Sequence, residues 1–456
     1  MSTINYRLST KKACVHTLGC RLNQSESAIL EEKLREDGYT LVPFGEPADL
    51  AIVNTCTVTN EADTKSRKLV RQFIRNNPGA YTAVIGCYAQ MGAGTLANIP
   101  GVDLIIGNQE KMNVLDYVKA GKNEKALIVR DRIDRDDFSI DFGGEDSPLS
   151  RRANLKVQDG CDFMCTFCLI PFARGRARAR EWDNLLSEAR SLVDRGAKEI
   201  ILTGVNIGTY DLENRNILHI VDALNTIDGL HRIRISSIEP TTIPLELFDR
   251  MNDPDHALLP YLHIPMQAGS NDILTAMRRK YTREEFLDFI FHAHEAVPGI
   301  GIGTDILVGF PGETEENFHD TCDTLWKSPL FYAHVFKYSE RSGTASVRIP
   351  DKVPGPVINE RGARLRKISA EKTRMFHEHQ LGETHQVLFE QAQDGYWTGY
   401  TQNYTRVAAK SEHDLENQIR PVRLEEVRGD LVVGSLHPDS TRISEFAKQR
   451  SLDIPV

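Results

Sequence analysis

Gly160-Cys161-Asp162-Phe163-Met164-Cys165-Thr166-Phe167-Cys168 sets three thiols in a CxxxCxxC pattern, with an aromatic ring directly before the last. Three thiolates on one short loop can hold three corners of a cubane iron-sulfur cluster and leave the fourth iron open to another ligand. Zinc fits less well, because a structural zinc site closes with four N or S ligands and no CxxC pair or His beside the triplet completes a tetrahedron. Buried core thiols are the plain alternative, but this spacing strings the sulfurs along one irregular loop instead of on one packed face.

Working outward, a strand pattern at 155–158 ends just before the triplet, and similar patterns recur at 199–203, 232–237, 260–264, 301–308 and 333–338 with helical stretches between them. Six βα units predict a partial (βα)6 barrel over 151–378, whose chemistry belongs on loops at the C-terminal ends of the strands. The cysteine loop is in that position.

Upstream, short apolar strands alternate with helical patterns: a strand at 13–19, a helix at 25–38, a strand at 50–55, a helix at 63–75, and strands at 83–86 and 102–107. This predicts an open, mostly parallel, Rossmann-like α/β domain over 1–130. Cys20, Cys56 and Cys87 follow its first three strands, in Thr17-Leu18-Gly19-Cys20-Arg21-Leu22-Asn23-Gln24, Val53-Asn54-Thr55-Cys56-Thr57-Val58 and Gly86-Cys87-Tyr88-Ala89-Gln90. Loops at strand C-termini converge in such sheets, so these thiols can meet and hold a second cluster. Cys14 inside a strand and Cys322 inside a helix read as small buried hydrophobes. The acidic, glycine-containing stretch 131–150 reads as a linker.

Downstream, short strands at 386–390, 395–398, 405–408 and 431–433 predict a small all-β barrel over 379–448, of a kind that binds looped or single-stranded nucleic acid. Tyr396, Trp397, Tyr400 and Tyr404 could stack bases there, and equally some of these rings could be core. The formal net charge is −9 and the pI about 5.9, which excludes a generally basic, nucleic-acid-coating protein but not a local basic groove. One run stands out: Arg174, Arg176, Arg178 and Arg180 alternate just after the cysteine loop. A charge run is usually a solvated face; here its place beside the expected site favours phosphate contact. With no signal-peptide-like start and no run of about 18 apolar residues, the expected location is the cytoplasm, away from any membrane. In that reducing compartment eight cysteines serve as metal ligands or core rather than disulfides.

Taken together, the two cysteine sets, the partial barrel and the terminal barrel resemble the radical SAM methylthiotransferase family over nearly the whole chain. The resemblance implies two [4Fe-4S] clusters, one on Cys161, Cys165 and Cys168 and an auxiliary one on Cys20, Cys56 and Cys87, with a TRAM domain at the C-terminus. It also implies S-adenosylmethionine (SAM) used twice, as methyl donor and as radical source, since an unactivated C–H bond offers no acidic proton to a general base. Phe167 is then expected near the SAM adenine, Gly204 and Val205 at its amino group, and Ser237, Glu239, Gln267 and Val308 at strand ends around it; ordinary turn and cap roles are the alternative for the polar ones. The segments Ile201-Leu202-Thr203-Gly204-Val205-Asn206-Ile207-Gly208 and Arg234-Ile235-Ser236-Ser237-Ile238-Glu239-Pro240 resemble the branch acting on N6-threonylcarbamoyladenosine (t6A) beside the tRNA anticodon. The expected partners are thus a t6A-bearing anticodon stem-loop and an external electron donor, with the sulfur donor unspecified. Competing readings are the same chemistry on isopentenyladenosine or on an aspartate of a ribosomal protein, and a non-catalytic iron-sulfur protein that binds RNA or senses redox state.

Overall fold

Apolar runs alternating with amphipathic helices build the first part of the molecule. The computed structural model describes residues 11–142 and 152–437. Two compact units emerge, the first made of 1–146, 159–162 and 168–178, the second of 147–158, 163–167 and 179–456. Part of the expected linker, 143–150, lies outside the described residues, as does the end of the expected terminal barrel from 438.

In the first unit, β1 (Lys12–Thr17), β2 (Thr40–Leu41), β3 (Leu50–Thr55), β4 (Tyr81–Gly86), β5 (Leu104–Ile106) and β6 (Leu127–Val129) form one sheet in the order β2-β1-β3-β4-β5-β6. Every pair is parallel. All six residues of β3 and of β4 are buried, as central strands covered on both faces by helices require. The helices are α1 (Arg21–Glu36), α2 (Asn60–Asn76), α3 (Cys87–Ala97), α4 (Val114–Lys119) and the short α5 (Ile170–Arg174). Helix α1 begins four residues ahead of its expected start, because Cys20 takes the N-cap position without a side-chain capping bond and leaves no polar start signal in the sequence. Cys14 is buried, and burial pushes its thiol up to about 11.

The second unit contains two three-stranded parallel sheets. One has the order Arg232–Ile235, Glu199–Thr203, Ala153–Lys156; the other has the order Tyr261–His263, Gly301–Val308, Tyr332–Lys337. These are the six strands of the partial barrel. One continuous core runs through it, from Leu155, Leu202 and Ile235 to Ile264, Ile306 and Leu325. Cys322 is buried in that core. The long helix Gly355–His379 then leads into a closed five-stranded barrel built from Thr384–Gln393, Tyr396–Tyr400, Arg406–Lys410, Leu431–Leu436 and Ile419–Arg428, in that order around the barrel.

This barrel docks on the parallel strands through buried arginines. Glu199 lies at the centre: Arg234 Nε donates to it at 2.7 Å, and Arg232 and Arg152 flank it at 3.7 and 3.9 Å. Burial alone would raise the Glu199 carboxyl, but Arg234 and Arg152 hold it down to about 2. The same guanidinium groups reach into the terminal barrel, Arg232 donating to the carbonyls of Tyr400 and Gln386 and Arg234 to those of Gln402 and Thr401. Arg152 forks onto Glu390 and lies over the Tyr400 ring at 4.2 Å. Gly301 faces this seam, where any Cβ would run into the Asn403 carbonyl oxygen. Among the described residues no helix is long and apolar enough to cross a membrane.

Candidate cysteine centres and their surroundings

Strands β1, β3 and β4 are neighbours, and their register pairs Thr17 with Asn54, Asn54 with Ile85 and Thr55 with Gly86. Cys20, Cys56 and Cys87 therefore leave three adjacent strand ends at nearly one level, with strands about 4.8 Å apart. Side-chain amides and a hydroxyl stitch these ends together. Asn23 Nδ2 donates to the carbonyls of Leu18 and Thr55, Asn54 Nδ2 to the Asn23 carbonyl, and Thr55 Oγ1 to that of Ile85. Gly19 has φ +103°, and a Cβ there would lie 2.7 Å from Cys56 Cβ and 3.0 Å from its sulfur, so only glycine lets the first and second loops approach this closely.

The thiols are electrostatic neighbours. Burial first, and then the proximity of Cys87 and Cys20, push Cys56 up to about 12. Crowding around the Cys20 sulfur raises it as well, opposed by Arg174. Arg174 is 1% exposed. Its Nη2 donates to Asn23 Oδ1 at 2.5 Å and its Nη1 to Glu26 and Asp159 at 3.1 and 3.0 Å; despite burial, Asp159, Cys87 and Glu26 keep it charged well above the ordinary range. Lys111 joins Glu26 from the other side at 2.5 Å and donates to Asn108 Oδ1. Asn108 Nδ2 in turn reaches the Cys87 sulfur at 3.5 Å and the Ala173 carbonyl at 2.7 Å.

A single ion gripped by thiolates at about 2.3 Å would draw the sulfurs close together, whereas a cubane gives each thiolate its own iron and spreads them. Among the described residues no His, Cys, Asp or Glu trio has the spacing for one ion. Cys20, Cys56 and Cys87 on level strand ends, with a buried guanidinium as countercharge, are residues that could hold such a cluster.

The loop 161–168 runs through both units. In the first, the Cys161 N–H donates to the Gly175 carbonyl and the Ile170 N–H to the Cys168 sulfur at 3.4 Å. In the second, Arg279 Nη1 donates to the Cys165 sulfur at 3.3 Å, and Arg279 is itself held by Glu239 and Tyr281. Phe167 is half-buried, edge-on to Phe310 at 6.4 Å. The loop that follows strand Glu199–Thr203 is pinned by Gln158, whose Oε1 accepts the N–H groups of Val205 and Asn206 and would lie 2.9 Å from a Cβ on Gly204. Ser237 is half-buried just past its strand, Gln267 sits at φ +64° with its N–H on the Asp305 carbonyl, and Val308 is the buried last residue of its strand. Glu239 thus turns to Arg279. Sequence reasoning missed Arg279, Gln158, Asn23, Asn108 and a polar chain in which His263 bonds Asp305 and the Tyr332 hydroxyl, each at 3.0 Å. Only Asn23 carried a signal, as part of the segment containing Cys20.

The arginine run divides. Arg180 is fully buried, ion-paired with Glu188 and donating to Asn184. Arg174 is buried as described, so neither can reach a phosphate, and the expectation that they bind RNA is corrected. Arg178 keeps 10% of its side chain exposed and lies over the Phe138 ring. Arg176 alone points outward, 53% exposed and paired with exposed Asp162. Among the aromatic candidates, Tyr400 and Tyr404 stack on each other at 4.9 Å, and Tyr404 packs on Tyr261 at 4.4 Å. Their faces serve the docking seam instead of a base. Trp397 packs on the barrel core and Tyr396 lies under Lys410, both half-buried.

Residues 155–325 match the radical SAM superfamily and residues 12–107 the uncharacterized protein family UPF0004. The chain is 38% identical to the threonylcarbamoyladenosine tRNA methylthiotransferase MtaB of Bacillus subtilis (strain 168), over 90% of this chain and 92% of that protein. It is 33% identical to the tRNA-2-methylthio-N(6)-dimethylallyladenosine synthase of Clostridium botulinum (strain Okra / Type B1), over 82% of this chain and 85% of that one. In fold it is similar to the radical SAM methyltransferase TsrM of Kitasatospora setae, with a TM-score of 0.53 at 16% identity, covering 72% of this chain and 73% of that one.

Proposed function

This chain belongs to the radical SAM methylthiotransferase family, and from that premise we propose that it adds a methylthio group to C2 of N6-threonylcarbamoyladenosine at position 37 of tRNA. The observation that carries the reading is the second thiol set, Cys20, Cys56 and Cys87 on adjacent strand ends. A methylthio transfer needs a place to hold sulfur apart from the place that breaks a C–H bond. An iron-sulfur cluster with SAM supplies, when bound, the one-electron chemistry that breaks that bond. Cys161, Cys165 and Cys168 would hold that cluster, and the first three thiols a second one. Arg279, fixed by Glu239 and Tyr281, donates to the Cys165 sulfur and so sets its orientation. Gln158 holds the loop of Gly204 and Val205 rigid where the SAM amino group is expected. Arg176, Tyr396 and Trp397 remain candidates for RNA contact.

The substrate rests on the 38% identity with a t6A enzyme, against 33% with one whose name carries dimethylallyladenosine. Two matched anticodon stem-loops, one bearing t6A and one isopentenyladenosine, decide it when each is incubated with reconstituted enzyme and its methylthio product is quantified by mass spectrometry. Preference for the isopentenyl stem-loop overturns the substrate and leaves the family untouched.

A further inference from the structure

Helix α2 follows Cys56 by four residues, with Thr59 as its cap accepting the Ala62 N–H. Its buried residues Ser66, Val70 and Phe73 face the sheet. Lys65, Lys68, Arg71 and Arg75 are all exposed. At about 100° per residue these four fall within an arc of roughly 120° centred opposite the buried face. The stripe is about 15 Å long, room for roughly four phosphates at about 3.4 Å of axis rise each.

A stripe of exposed cations is ordinarily a solvated face balanced by neighbouring carboxylates, and other helices of this protein show that balance. On α1 Arg35 meets Glu31 and Lys33 meets Asp141; further on, Lys327 meets Asp323, and Arg374 meets both Glu371 and Glu378. Among the described residues Lys65, Lys68, Arg71 and Arg75 have no carboxylate within ion-pair distance, and the exposed acid of α2's first turn, Glu61, pairs with none of them. In a chain of net charge −9 that is a locally uncompensated positive ridge. It leads away from the loop of Cys56, the neighbourhood in which a substrate must end. We infer that the outer face of α2 grips the phosphodiester backbone of the RNA substrate. The inference deepens the tRNA reading above and rests on it.

The test uses full-length protein and a fluorescent, unmodified anticodon stem-loop transcript, with affinity measured by anisotropy across a potassium chloride series. Alanine preserves helix propensity, so a variant combining Lys65→Ala, Lys68→Ala, Arg71→Ala and Arg75→Ala keeps the fold, checked by its melting curve. The slope of log K against log salt should shrink by about 0.9 for each phosphate that the variant no longer neutralises. A second variant, Lys68→Glu with Arg71→Glu, should bind more weakly than the matching double alanine, a response that a merely structural role would not give. Unchanged affinity and slope in both variants overturn the inference. Because the probe carries no modified base, a preference of the wild type for isopentenyladenosine would sink the t6A assignment while leaving this result standing.

Discussion

Both units bury arginine, and they bury it for different ends. In the second unit three guanidinium groups surround one carboxylate, Glu199; Arg232 and Arg234 also donate to carbonyls of the terminal barrel, and Arg152 forks onto its Glu390. In the first unit one guanidinium, Arg174, faces Glu26 and Asp159 but also sits close enough to Cys20 and Cys87 to feel their charge. The first arrangement is a clamp whose arginines are held by Glu199, by Glu390 and by backbone carbonyls of the barrel. The second leaves part of its field directed at thiols. A buried ion pair is weak evidence of stability in itself, but removing one partner from it is costly, which is what makes the two arrangements separable by mutation.

The largest effect is expected for Glu199→Ala. Arg152, Arg232 and Arg234 would be left without their common carboxylate, at about 3–5 kcal/mol. Calorimetry should show the second unit's transition falling sharply while the first unit's stays in place. A matching fall in both would break the contrast. Next comes Arg174→Met, which takes the main partner from Asp159 and leaves Glu26 to Lys111 alone, at a cost of about 3 kcal/mol, and should also lower iron bound per chain in a background lacking Cys161, Cys165 and Cys168. Arg174→Lys should restore part of the charge without the fork. If melting drops but iron does not, Arg174 is a strut of the same kind as Arg234.

Acid probes the clamp without mutation. Glu199 is held near 2 in the folded protein, against a usual value of 4.5. A depressed carboxylate contributes stability that is fully present above its unfolded value and is lost as pH falls from there through the folded one. The amount is roughly 3 kcal/mol, at about 1.4 kcal/mol per unit, and denaturant midpoints between pH 5 and pH 2 should trace its loss, with Glu199→Gln flattening that dependence. The smallest effect belongs to Arg176→Ala. Its pair with Asp162 is exposed on both sides, so stability should stay within about 0.5 kcal/mol, the control that shows burial, and not arginine itself, sets the scale.

The cysteine pattern was legible because chemistry fixes it locally: three thiols on one loop, and three more each just past a strand. The parallel strands were legible from their apolar runs. The arginine run was not, because its charges are settled by partners far away in sequence. Arg174 meets Glu26 across 148 residues, and no window around 174 contains that carboxylate. The strand Ile419–Arg428 escaped for another reason: half of its residues are charged, it contains Pro421, and its pairing slips at a bulge between Leu424 and Glu426, so no clean alternation survives. Tyr400 and Tyr404 were exposed to the same blindness, since a ring that stacks on a base and one that stacks across a docking seam look alike in sequence.

Gly301 carries a consequence for how such chains can be recombined. The terminal barrel presents the Asn403 carbonyl to a strand that has no room for even a methyl group. A chimera that borrows its barrel from a relative therefore depends less on the linker that joins the parts than on three features of the recipient: a missing side chain at 301, a carboxylate at 199 and arginines at 232 and 234 to hold it. Grafts that keep them should dock; a recipient with alanine at 301 would carry its new barrel as loose cargo.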